Sequence, residues 1–78
     1  MSLSKLVLPA EVRTVVDRLL AAIEVADSAQ GVNMAAQRGE GFVLGLETVK
    51  AFTSEVVETL YIGLEAAAEQ RREVLRHA

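Results

Sequence analysis

Apolar residues recur at seven-residue intervals along the second half of the chain. Phe42, Val49, Val56 and Gly63 form one series, and Leu46, Leu60, Ala67 and Val74 form another three to four residues away, interrupted at Thr53. This is the spacing of a helix packed lengthwise on another helix. Phe52, Val57 and Leu64 flank the seam and widen it from a two-stranded coiled coil towards the broader stripe of a helical bundle. No proline falls between Phe42 and Arg76, and Gly45 and Gly63 are the only glycines there, so the pattern predicts one long helix over 42–76. At ~1.5 Å per residue that rod is on the order of 50 Å long and needs cover along its whole face.

The first half carries a second helical pattern. From Pro9, the positions Val12, Val16, Leu19, Ile23 and Ala26 alternate between four- and three-residue steps, with Val15, Leu20, Ala22, Val25 and Ala29 beside them. Arg13, Asp17, Glu24, Asp27 and Ser28 mark the opposite, solvated side, where Arg13 and Asp17 stand one turn apart and can pair. Proline suits a first helical position because its missing N–H costs nothing there, and Glu11 favours the positive end of the helix dipole. Ahead of it, residues 1–8 form an apolar arm, with Val7 and Val12 spaced as a hydrophobic staple that folds it back. Met1 to Ser4 are expected either to fray or to fold with it. Ala29 and Ala36 extend the series begun at Val15 and Ala22, so the first helix is expected to run over 9–38 with a bend or break near Gly31. Gly39-Glu40-Gly41 then serves as the turn at 39–41. The alternative ends the helix at Gly31 and leaves Val32 to Glu40 as a connection. The expected fold is all-α: an antiparallel helical hairpin of two long helices.

Composition adds an oligomeric expectation. Seventy-eight residues make one small domain whose core alone gives little net stability, yet 51% of the chain is hydrophobic. Without cysteine there is neither disulfide nor thiolate metal site to staple it. Shared burial between copies is the remaining remedy, so the hairpin is expected to assemble as a homodimeric four-helix bundle. The expected dimer interface is Phe42, Leu46, Val49, Phe52, Val56, Leu60 and Leu64. The net charge of −3 argues against a general nucleic-acid or anionic-membrane binder. Leu6-Val7-Leu8 is too short for a signal-peptide core, and no apolar run reaches the ~18 residues of a membrane span. The expected location is the cytoplasm.

Little in the chain points to chemistry. Glu55 and Glu58, then Glu65, Glu69 and Glu73, crowd one side of the second helix, but the Glu-x-x-His pairs of carboxylate-bridged metal sites are missing, and His77 is the single histidine. No metal and no cofactor are expected. Without an internal histidine to act as base, the scattered hydroxyls form no nucleophile arrangement, so no catalytic residue is assigned and an enzyme is not expected. Gly39-x-Gly41 lacks the strand and lysine of a phosphate loop. Gly41-x-x-x-Gly45 and Gly63-x-x-x-Ala67 are weak signals for close helix packing. Arg71, Arg72 and Arg76, with His77, make one basic cluster, whose plainest role is to complement the dipole at a helix C-terminus. Paired across a dimer, the cluster would instead form a patch for RNA or an acidic partner, though no aromatic platform lies beside it. The function expected from the sequence is therefore that of a small non-enzymatic interaction or regulatory protein, which binds itself and has another protein as a further candidate partner, with an RNA-binding hairpin dimer as the alternative.

Overall fold

The computed structural model describes residues 2–78, and among them every regular element is helical. Three α-helices follow an N-terminal 3₁₀ turn at Leu3–Lys5: α1 spans Ala10–Val25, α2 Ala29–Thr48 and α3 Ser54–Arg76.

Each boundary has a local cause. Pro9 stands just ahead of α1, and its carbonyl accepts the Arg13 N–H at 2.9 Å. The chain turns extended at Ala26 (φ −61°, ψ 134°), which ends α1. Two residues later Ser28, also extended, places its hydroxyl oxygen 3.0 Å from the Gly31 N–H that donates to it, and so opens α2 as an N-cap. At the far end Lys50 N–H donates to the Glu47 carbonyl and Ala51 N–H to the Leu46 carbonyl, both at 3.0 Å. These are the paired bonds of a Schellman cap, which requires a left-handed residue; here that residue is Lys50, at φ 55°. Thr53 then caps α3, its hydroxyl accepting the Val56 N–H at 3.3 Å.

The hairpin with helices over 9–38 and 42–76 is therefore replaced by three helices. The expected turn at 39–41 lies in the middle of α2, and the expected long helix is broken over 49–53. Gly39 serves packing rather than turning. It is buried, and a Cβ added there would lie 3.2 Å from Leu64 Cδ1 and 4.0 Å from Leu19 Cδ1, so its bareness lets α2 approach both neighbours. The expected break near Gly31 is present at 26–28, but Gly31 does not make it: it sits in the first turn of α2, where its N–H donates to the capping serine.

Polar contacts fix the order of packing. Arg72 Nε donates to Asn33 Oδ1 at 2.9 Å, and the Tyr61 hydroxyl to Glu47 Oε1 at 3.1 Å, so α3 runs antiparallel to α2. Arg71 Nε donates to the Ala26 carbonyl at 2.9 Å, bringing the late part of α3 beside the end of α1. The result is an up-down-up bundle of 39 × 21 × 19 Å, shorter than the expected rod. Its core joins Val16, Leu19 and Ile23 of α1, Val32, Ala35 and Val43 of α2, and Val57, Leu60, Leu64 and Ala68 of α3. No described helix is long and apolar enough to cross a membrane.

Leu6 of the N-terminal arm joins this core at 5% exposure, and Leu3 packs over Gly63. The arm is thus folded back from Leu3 onward, but not by the expected staple, because Val7 is 94% exposed. Pro9 precedes α1 instead of opening it, which shifts the helix frame by one residue and turns Val7 outward. The expectation for Met1 lies outside the described residues.

Candidate interaction surface

The seven residues expected at a dimer interface divide into two groups. Leu60 and Leu64 are enclosed, at 0% and 3% exposure, and hold α3 to the rest of the molecule. With a third helix available, the chain covers this part of the stripe itself, so these two leucines are no part of its surface. Phe42, Leu46, Phe52 and Val56 are half-buried and Val49 is 72% exposed. Phe42, Leu46 and Val49 lie four and three residues apart, on one side of α2 as it ends, while Phe52 and Val56 continue beyond the turn into α3. Phe42, Leu46, Phe52 and Val56, like Leu8 and Val12 ahead of and within α1, pack against the core with part of their surface open, whereas Val49 and Val7 stand largely in solvent. The Lys50 cap and the Thr53 cap set the turn between the two sets of α2 and α3 residues.

Other apolar side chains stand out individually: Val25, Met34, Leu44, Ile62 and Val74 are each more than half exposed. Ile62 and Ala66, with Tyr61, Glu65 and Glu69, line an open trough on the outside of α3.

The basic cluster is turned onto the protein's own acceptors. Arg71 caps α1 through the Ala26 carbonyl, a role in another helix and not at the end of its own. Arg72 pairs with Glu65 at 3.1 Å and Glu69 at 3.2 Å in addition to Asn33. Arg76 bonds Glu69 at 3.1 Å and also Glu73, whose other oxygen meets His77 Nε2 at 2.8 Å. These contacts move the protonation equilibria accordingly. The hydrogen bond from Arg76, then that from Arg72, holds the Glu69 carboxyl below the usual range, and Arg76 followed by His77 does the same for Glu73. The Arg72 guanidinium is raised first by Glu65 and that of Arg76 first by Glu73. Along the α2–α3 groove, partial burial and then the hydrogen bond to Glu47 raise the Tyr61 phenol. The carboxylate row and the arginines thus form one exposed network along α3, and the positive field that phosphate would read is largely cancelled.

Among the described residues no polar or charged side chain is buried, and no group of three or more His, Asp or Glu side chains gathers as a metal site. At the turn between α2 and α3 the surface is mixed: Glu47, Lys50, Phe52, Thr53, Ser54 and Val57 line a shallow cleft, and Val49 is exposed in the turn itself. Comparison with known protein families, curated proteins and solved structures finds no match to this chain. The fold defines an all-α three-helix bundle.

Proposed function

We propose that this protein is a small non-catalytic interaction module that self-associates through the apolar surface at its α2–α3 turn, with other proteins as further partners of the same face. The observation that carries the reading is Val49, a large aliphatic side chain left 72% exposed in the turn between α2, which carries the half-buried Phe42 and Leu46, and α3, which carries the half-buried Val56. A single exposed valine is ordinary, but one on the stretch of chain that also leaves Phe42, Leu46, Phe52 and Val56 partly open is a surface that association would bury. The proposed dimer joins two three-helix units and not two hairpins, since Leu60 and Leu64 are occupied within each copy. The chain without cysteine suits the reducing cytoplasm.

Sedimentation of the wild type and of Val49→Asp tests this. The wild type is expected at twice the chain mass, and the variant at the chain mass with its helical circular dichroism intact. A wild type that stays monomeric at all concentrations overturns the proposal. RNA binding through Arg71, Arg72 and Arg76 is not favoured, because their guanidinium groups already face Ala26, Asn33 and the glutamates of α3.

A further inference from the structure

The arm at residues 2–8 is held as a ligand is held. Leu3 lies in a slot that exists only because residue 63 of α3 has no side chain. A Cβ built on Gly63 would come within 2.9 Å of both Leu3 Cβ and Leu3 Cδ2. Leu6, three residues on, inserts into the core. Between them the 3₁₀ turn is closed by Lys5 N–H on the Ser2 carbonyl and Leu6 N–H on the Leu3 carbonyl. One side chain reads two of its carbonyls: Arg13 donates through Nη1 and Nη2 to the Leu3 carbonyl, which also accepts the Leu6 N–H, and through Nη2 to the Leu6 carbonyl. A glycine slot, an apolar socket and a guanidinium reading main-chain carbonyls together recognise a short Leu-x-x-Leu segment in 3₁₀ conformation. The only covalent tie between this segment and the bundle is the three-residue link Val7-Leu8-Pro9.

We infer that the Gly63–Arg13 slot accepts the arm of a second copy, so that two chains exchange their Leu3–Leu6 segments. This rests on the self-association proposed above and names how the copies are joined. The second copy is the occupant because its arm reproduces every contact of the closed form, and only the link at 7–9 changes conformation. Val7 supports the choice. It is the most exposed large apolar side chain among the described residues, and it sits on the link itself. When two links cross beside a two-fold axis, each Val7 gains a partner that the closed monomer cannot give it.

The wild type tests this without substitutions: in a half-labelled sample, isotope-filtered nuclear Overhauser spectra are expected to show intermolecular contacts between Leu3 and Gly63, and purely intramolecular ones overturn the inference. A monomeric wild type defeats this inference together with the proposed dimer. A wild-type dimer that Val49→Asp dissociates, but whose 3–63 contacts are all intramolecular, defeats the exchange alone.

Discussion

At the scale of single residues, Lys50 and Gly63 show opposite uses of the backbone. Lys50 holds the left-handed conformation that closes α2, at φ 55°, where glycine would sit without a steric cost. Lys50→Gly is therefore expected to stabilise the fold by about 1 kcal/mol, seen as a higher urea midpoint. No gain would mean that the Lys50 side chain contributes as much as its backbone costs. Gly63 is the reverse case, a helix-interior glycine whose missing side chain leaves room for Leu3. In Gly63→Ala, improved helix propensity of about 1 kcal/mol opposes displacement of the arm. Amide exchange is expected to show Leu3–Leu6 losing protection while α3 keeps its own. Neither role was legible in the chain: a lysine carries no sign of a turn, and a glycine within a helical pattern does not say what it makes room for.

At the scale of elements, the breaks at 26–28 and 49–53 rest on Ser28 and Thr53. Each supplies one side-chain acceptor to an otherwise unsatisfied N–H, so Ser28→Ala and Thr53→Ala are each expected to cost about 1 kcal/mol in denaturant titration. The Thr53 gap in the seven-residue series was visible, and Thr53-Ser54-Glu55 ahead of Val56 and Val57 is a start signal. The periodicity passes through the break unaltered, however, which is why the pattern predicts a continuous helix. The end of α3 depends on charge. Glu69 and Glu73 have folded-state pKa values depressed by Arg76 and its neighbours, so their contribution is present above the ordinary glutamate value of about 4.3 and is lost as pH falls through the depressed folded values. Both groups are exposed, so the effect is small and screened by salt. Lowering the pH through that window is expected to fray the last turns of α3 in NMR chemical shifts, and Arg76→Gln is expected to reduce the change.

At the scale of the whole molecule, the same apolar stripe divides between interior and surface, and two substitutions separate the parts. Leu60→Asp places a charge in a fully enclosed site and is expected to unfold the chain, seen as loss of helical circular dichroism. Val49→Asp adds its charge at an exposed site and is expected to leave the fold intact while dissociating the dimer. Equal unfolding by both would remove the distinction between core and face. The all-α class, the buried set Val16, Leu19 and Ile23, and the apolar cluster from Phe42 to Val56 follow from the spacing of side chains along a helix, a local property that any reading of the residues recovers. Only the tertiary structure decided that there are three helices, that Leu60 and Leu64 face inward, and that Gly39 and Gly63 are points of close approach. Those outcomes depend on where a chain reverses and what then lies against it. Capping bonds worth about 1 kcal/mol select the reversal points, and a seven-residue repeat reads the same on either side of them.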